Sequence, residues 1–294
     1  MPAVFRKPPA NAMQLHVLDT GLFKLDGGAM FGVVPKPIWQ KLNPADEHNR
    51  CTWAMRCLLV EDGNRLILID TGIGDKQDAK FLSHYHLHGD GSLTGSIAKV
   101  GFSASDVTDV ILTHLHFDHV GGAVKYDQSD SQKPILTFPN ARHWSTEAHW
   151  QWATHPNSRE KASFLTENIL PVQESGQLDF IRQGQPSPFA NIDFLFVNGH
   201  TEAMLLPRIQ YQGKTIVYMA DLIPSASHVP VPYVMGYDVR PLLTMEEKTK
   251  ILNEAADNQW ILVFEHDAVT EAATVAKTEK GVRIDQRGNL ADWL

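Results

Sequence analysis

The stretch that decides how this sequence is interpreted reads 113-THLHFDH-119, and it contains three histidines and one aspartate. His114 and His116 are two residues apart, so an extended backbone points both imidazoles to the same side. Asp118 and His119 follow as the chain turns, and they can face a second point about 3.5 Å away, the usual spacing of a two-metal site. Crowding these side chains is costly unless a cation neutralises them. The motif therefore predicts a metal centre on a loop that follows a strand.

Three further polar residues stand where other apolar runs end. His200 follows NIDFLFVNG, Asp221 follows TIVYMA, and His266 follows WILVFE. One such residue alone is more often a cap or a satisfied polar group. Four ligands cannot complete a two-metal site, however, and these three residues occupy the same position relative to a strand as the motif does. We therefore expect them to converge on it.

The rest of the chain alternates between groups of strands and groups of helices. The pattern predicts these elements: a first strand from Met13; a loop with a short strand piece in GGAMFGVVPKP; a hairpin of Trp53–Val60 and Arg65–Asp70 around the turn EDGN; helices at 92–99 and 145–170; strands at 107–113, 192–198, 207–212 and 215–220; a helix to about 257, opened by a capping box of Thr244 and Glu247; and a final buried strand that ends at His266. This order favours two packed sheets with helices outside. One domain is expected over 13–294, after a flexible extension at 1–12.

Composition excludes several classes of protein. The chain has 294 residues and a formal net charge of −8, with no basic run, which argues against a nucleic-acid surface. No stretch of 18 apolar residues predicts a membrane span, and the N-terminus lacks the apolar segment of a secretory signal. The two cysteines, Cys51 and Cys57, are too far apart along one strand to bridge and are expected to be reduced thiols. A cytoplasmic location is therefore expected.

The order of these motifs resembles the metallo-β-lactamase superfamily. D-T-G at 70–72 comes first, then H-x-H-x-D-H, G-H-T at 199–201, A-D-L at 220–222 and a late histidine, over about residues 14–270. The resemblance implies an α+β fold, the αβ/βα four-layer sandwich with two mixed sheets. One departure is visible, since the family often has G-H-T-P-G-H where this chain has 199-GHTEAM-204. The ligand is kept, but the turn that follows it differs.

The resemblance also implies a role for each site residue. Seven side chains would form the two metal sites: His114, His116 and His200 at the first, Asp118, His119 and His266 at the second, and Asp221 as the bridge between them. Asp70 would orient one of these ligands. Imidazole and carboxylate ligands favour two divalent Zn²⁺ ions, with Fe or Mn as alternatives. Two close cations lower the pKa of a shared water, and the resulting hydroxide would attack an ester-like bond, with Asp118 passing a proton to the leaving group.

Within the superfamily, the chain resembles the branch of N-acyl homoserine lactonases and methyl parathion hydrolase. The features are G-G-A-M-F-G after the first strand, the aromatic helical insert at 145–170, and A-D-L-I followed by a long loop. They imply a quorum-quenching lactonase. The predicted substrate pocket holds Met30, Phe31, His228, Tyr233 and Tyr237. No Arg- or Lys-rich loop lies near the ligands in the sequence, which favours a neutral substrate.

Other functions stay open at this stage. A phosphotriesterase or arylesterase of the same fold would use the same ligands, and so would a mononuclear-iron dioxygenase of the persulfide type or a sensor without turnover. The expected partner is a small-molecule substrate, with no nucleic acid and no membrane, and a homodimer is left open. The run His84, His86 and His88 also resembles a ligand cluster, but it has no carboxylates at useful spacing. We expect it at the surface or at the pocket rim.

Overall fold

The computed structural model describes residues 13–127, 129–130 and 133–294. The predicted extension at 1–12 lies outside these residues. The strands are β1 (Gln14–Asp26), β2 (Arg50–Asp62), β3 (Arg65–Ile69), β4 (Asp109–Ile111), β5 (Val124–Tyr126), β6 (Pro134–Leu136), β7 (Arg142–Ser145), β8 (Leu178–Phe180), β9 (Ile192–Val197), β10 (Met204–Tyr211), β11 (Lys214–Tyr218), β12 (Ile261–Val263), β13 (Ala272–Thr278) and β14 (Gly281–Gly288). The helices are α1 (Gly27–Phe31), α2 (Lys36–Trp39), α3 (Ala79–Tyr85), α4 (Leu93–Lys99), α5 (Phe117–Val120), α6 (Glu147–Thr154), α7 (Thr166–Glu174) and α8 (Pro241–Asn258).

Twelve of these strands form two six-stranded mixed sheets. The first has the order β1-β2-β3-β4-β7-β8, and the second has the order β14-β13-β12-β11-β10-β9. In the first sheet, β3, β4, β7 and β8 run parallel and the remaining pairs are antiparallel. In the second sheet only β11 and β12 are parallel. The carboxyl ends of the parallel strands lie at one edge of the sandwich, where the loops that follow them can place side chains close to one another.

The main core lies between the two sheets. Leu58 and Ile67 of the first sheet pack with Leu205 and Val217 of the second, and all four are buried. The opposite face of the first sheet is covered by α4, α6 and α7, while α8 packs on the second sheet. Alternate residues of β2 and β3 thus face the two cores, which explains why the hairpin is apolar on both faces. The predicted αβ/βα four-layer sandwich is confirmed.

Several local predictions were wrong. GGAMF forms the helix α1, because the Asp26 side chain accepts a hydrogen bond from the backbone N–H of Ala29 and caps it. Two more strands, β13 and β14, follow His266, so the strand before it is not the last. The expected capping box does not form, because Pro241 starts α8 three residues earlier than Thr244.

Two other expectations concern the cysteines and membrane spans. Cys51 and Cys57 both lie on β2, buried and unpaired, as the sequence suggested. In the described part of the chain, no helix is long and apolar enough to cross a membrane.

Candidate metal centre

The predicted ligands lie on loops at one edge of the sandwich. His114 and His116 follow β4, and His119 lies in the short helix α5. His200 lies in the turn between β9 and β10, and His266 follows β12. The loops are tied together by backbone hydrogen bonds, such as the one from Leu205 N–H to the Thr113 carbonyl at 2.9 Å. The strands therefore fix the positions from which these side chains reach the same point.

The first group of side chains is His114, His116, His200 and Asp221, all buried, with ligand atoms within 4.8 Å of one another. Nε2 of His200 lies 3.2 Å from Nδ1 of His116. Oδ2 of Asp221 lies 3.1 Å from Nε2 of His200 and 3.9 Å from Nε2 of His114. Ligand atoms around a tetrahedral zinc ion are about 3.3–3.6 Å apart, which matches this spacing.

The second group consists of Asp118, His119 and His266. The Nε2 atoms of His119 and His266 are 3.2 Å apart. Oδ2 of Asp118 lies 3.8 Å from the former and 3.6 Å from the latter. This group therefore offers two imidazole nitrogens and one carboxylate oxygen that face a common point.

Asp221 lies between the two groups. Its Oδ2 faces the first group, while its Oδ1 lies 3.1 Å from Nε2 of His266 and 3.6 Å from Nε2 of His119. Burial alone would raise the pKa of this carboxyl, but the neighbouring imidazoles, chiefly those of His266 and His119, hold it well below its usual range. Asp221 therefore presents one oxygen to each group, as a bridging ligand requires.

In three of the histidines, the ring nitrogen that faces away from the site is held by the protein. Nδ1 of His266 donates to the Ala54 carbonyl at 2.7 Å, and Nδ1 of His200 donates to Oδ1 of Asp238 at 2.9 Å. Nδ1 of His119 lies 3.1 Å from Oδ2 of Asp70. With the proton placed on Nδ1, the Nε2 lone pair is directed into the site.

These atoms fit divalent cations. In the described residues, Nε2 of His114 and Oδ1 of Asp221 are buried without any hydrogen-bond partner. Buried polar atoms are almost always paired, so these atoms require a ligand that is not part of the chain. Neutral imidazoles with hard carboxylate oxygens are a donor set that zinc accepts, and iron and manganese accept it too.

The structure adds residues that the sequence did not suggest. Asp238 holds His200, as described above. Oε1 of Glu160 lies 3.4 Å from Nε2 of His116 and accepts from Thr201 at 2.7 Å. The buried His149 accepts from the backbone N–H of Leu115, between two ligands, at 2.8 Å. None of these contacts has a sequence signal, because each partner comes from a distant segment.

Glu265 is also buried beside the site. Its Oε2 lies 2.9 Å from Nδ1 of His119, which is an ion-pair distance, and its Oε1 has no hydrogen-bond partner in the described residues. A charged residue directly before His266, inside the apolar run WILVFEHD, was the signal that could have indicated it.

A cavity of about 330 Å³ opens onto both groups. It is lined by Leu25, Met30, Tyr85, His116, Phe117, Asp118, Arg159, Glu160, Ala162, Ser163, His200, Asp221, Met235, Gly236, Tyr237 and His266. The sequence predicted no Arg- or Lys-rich loop near the ligands, and Arg159 nevertheless lines the cavity, where its guanidinium donates to the Gly236 and Asp238 carbonyls. The sequence could not place it there, because it lies on a different loop from the ligands.

Of the predicted pocket residues, Met30 and Tyr237 line this cavity and three do not. Phe31 and His228 are fully buried behind it and stack with ring centroids 4.5 Å apart. His228 is held there because its Nε2 contacts the Met30 carbonyl at 2.8 Å. Tyr233 packs against the apolar cluster that contains Met30 and Phe31. The helix α1 causes this difference, because it turns Met30 toward the site and Phe31 away from it.

The run of three histidines lies apart from the ligands. His84 and His86 are exposed, and His88 is half-buried beside Thr52. The neighbouring Tyr85 lines the cavity, so this segment lies at the rim.

Sequence comparison gives a family and a few partial relatives. A family model described as the metallo-β-lactamase superfamily matches residues 56–266, more than half of the chain. Probable metallo-hydrolases of Mycobacterium bovis and Mycobacterium tuberculosis are each 33% identical over 117 residues. The match covers 36% of this chain and 34% of each relative, so it spans about a third of the length of those proteins.

Solved structures resemble the chain over nearly its whole length. A probable metal-dependent hydrolase from Staphylococcus aureus has a TM-score of 0.84 and 29% identity, covering 94% of this chain and 96% of that one. AidC, a dizinc quorum-quenching lactonase solved with the product N-hexanoyl-L-homoserine, has a TM-score of 0.75 and 23% identity, covering 97% and 98%. At 23% identity, the similarity to AidC shows only that the two proteins share a fold.

Proposed function

This chain belongs to the metallo-β-lactamase superfamily, and on that premise we propose that it is a metal-dependent hydrolase that opens lactones of the N-acyl homoserine type. The relatives compared above are described as metallo-hydrolases, metal-dependent hydrolases or a lactonase. The observation that carries the proposal is the cavity of about 330 Å³, which places a mostly uncharged wall directly beside both ligand groups.

The side chains of the two groups would have different roles in the proposed reaction. Two divalent ions held there would supply Lewis acidity and a water of lowered pKa. Asp221, with one oxygen toward each group, would fix the separation of the two ions. Asp118 lines the cavity beside both ligand groups, so its carboxylate is placed to accept the proton that the attacking water releases and to pass it to the leaving alkoxide.

The apolar side of the cavity would take the acyl part of the substrate. Leu25, Met30, Phe117 and Met235 line it together, and three of them are buried. Each CH₂ of an acyl tail that leaves water there should add about 0.8 kcal/mol of binding. The value of kcat/KM should therefore rise with acyl length until the cavity is full, and then stay constant.

The cationic side chain of Arg159 in the wall does not require an anionic substrate. Arg159 already donates to the carbonyls of Gly236 and Asp238, and Glu160 beside it carries the opposite charge. A neutral lactone needs only polarisation of its carbonyl, an attacking water and an apolar groove.

The test compares two neutral substrates on zinc-loaded protein. We expect kcat/KM for a long-chain N-acyl homoserine lactone to exceed that for a paraoxon-like phosphotriester, and to increase across an acyl series from butanoyl to decanoyl. Asp118→Asn should lose most turnover, whereas Asp90→Asn, at an exposed position, should keep it. A ratio below one, or rates independent of acyl length, would assign the site to phosphotriesters instead.

A further inference from the structure

The segment 228–238 begins at the last residue of a short 3-10 helix (Ala226–His228) and forms one wall of the cavity. Residues 229–240, all of them described, contain neither helix nor strand. The segment nevertheless carries Met235, Gly236 and Tyr237 to the cavity. Backbone carbonyls that lack a helix or sheet partner must be satisfied in another way, so the contacts of this segment determine its shape.

A buried lysine satisfies three of these carbonyls. Nζ of Lys248, in the middle of α8, donates to the carbonyls of His228 at 2.6 Å, Pro230 at 3.0 Å and Tyr233 at 2.8 Å. Burial lowers the pKa of Lys248 to about 7, and the protonated side chain has three hydrogens, all of which this arrangement uses. The side chain has no solvent exposure, and it therefore acts on the segment from inside the protein.

A second cation holds the far end of the segment. The Arg159 guanidinium donates to the carbonyls of Gly236 and Asp238, so five carbonyls within eleven residues accept hydrogen bonds from two cationic side chains. Asp238 in turn holds Nδ1 of His200. The segment thus connects the cavity wall to a predicted metal ligand.

We propose that Lys248 is a positioning residue, which fixes segment 228–238 and thereby sets how the cavity accepts the acyl part of the substrate. Burying an ammonium is costly, and an apolar side chain of similar length would avoid that cost but would leave the carbonyls of His228, Pro230 and Tyr233 without this donor. The lysine is therefore explained by the carbonyls that it binds, because a donor with three hydrogens can fix all three together.

The test is Lys248→Met, which keeps the length of the side chain and removes its donors. The segment should loosen, so KM for a decanoyl lactone should rise at least about tenfold while kcat and metal content stay within about twofold. The difference in kcat/KM between long and short acyl chains should shrink. Lys250→Met is the matched control, since Lys250 is two residues away on α8 and exposed, and its kinetics should equal those of the wild type.

The inference rests on the proposed function only through the choice of substrate. If the wild type prefers phosphotriesters, the proposed function fails, and the same split between KM and kcat is measured on a triester series. Lys248→Met with a lower melting temperature but unchanged KM and unchanged dependence on substrate size would overturn the inference.

Two further measurements apply if the methionine variant does not fold. Lys248→Gln keeps an amide with two hydrogens, so its KM should lie between those of the wild type and the methionine variant. In the wild type, the amides of the segment should exchange hydrogen as slowly as those of β11. Fast exchange in the intact protein would show that the segment is not fixed, and the inference would be wrong.

Discussion

His143 should make the fold sensitive to acid in a way that one substitution removes. The side chain lies on β7 with no solvent exposure, and neither ring nitrogen has a hydrogen-bond partner in the described residues. Burial lowers its pKa from 6.5 to about 4. The unfolded chain therefore binds a proton near pH 6.5, whereas the folded protein binds it only near pH 4, so stability is lost as the pH falls between these values.

The size of this effect follows from the shift. A difference of about 2.5 units corresponds to about 3 kcal/mol in full, and to about 2 kcal/mol between pH 7 and pH 4.5. His143→Leu should abolish that part of the loss and change the stability at pH 7 by about 1 kcal/mol or less. The assay is urea unfolding of metal-loaded protein, followed by tryptophan fluorescence at several pH values.

Protonation of the metal ligands destabilises both proteins equally, so it cancels in the difference between His143→Leu and the wild type. His48→Gln is the matched control, because the His48 side chain is 65% exposed and should leave the pH dependence unchanged. If the free-energy difference between His143→Leu and the wild type is the same at pH 7 and pH 4.5, the reasoning fails.

Two other predictions concern the metal centre, and a third concerns the close backbone contact of Gly121. Protein purified without chelator should hold close to two metal equivalents and Asp221→Ala fewer, with a lower melting temperature, because metal binds only the folded state; a reproducible single equivalent in the wild type, iron above all, would contradict the two-metal site. Asp238→Asn should weaken metal retention about 10- to 100-fold in a chelator competition, because it alters the partner of Nδ1 in His200; unchanged retention would show that this contact does not matter. Gly121→Ala would place a Cβ 2.0 Å from the Ile73 carbonyl oxygen and should destabilise the fold by about 1–3 kcal/mol in urea, whereas Gly63→Asn, with open space around it, should be tolerated.

The convergence of the seven candidate ligands could be predicted because each of them has a local signature. A polar residue at the end of an apolar run is visible in the sequence, and the sandwich brings the ends of β4, β11 and β12 to one edge. The hairpin of β2 and β3 was equally visible, since its turn and its two apolar runs are contiguous. Both predictions depended on neighbours in the chain, so a pattern of residues was enough.

The start of α8 shows where a local pattern misleads. Thr244 and Glu247 have the spacing of a capping box, but the Thr244 hydroxyl contacts the Arg240 carbonyl inside the helix. The Glu247 carboxylate instead accepts from the backbone N–H groups of Asn198 and Gly199, at 2.7 and 3.0 Å. Glu247 therefore supports the turn that presents His200, 47 residues earlier in the chain. The tertiary contact of Glu247 with Asn198 and Gly199 thus takes the place of the local capping contact that its spacing from Thr244 predicted.

The walls of the cavity could not be predicted for the same physical reason. Whether an aromatic residue faces a cavity or a core depends on which way its helix turns, and α1 was expected to be a loop. With Asp26 as its cap, α1 directs Met30 to the site and Phe31 to the stack with His228. Tyr85, which no pattern singled out, reaches the cavity because Phe117 packs against its ring at 4.6 Å. The positions of the ligands depend on where strands end, whereas the substrate contacts depend on how separate loops pack on one another. Lys248→Met should therefore alter the substrate contacts while leaving the ligands in place.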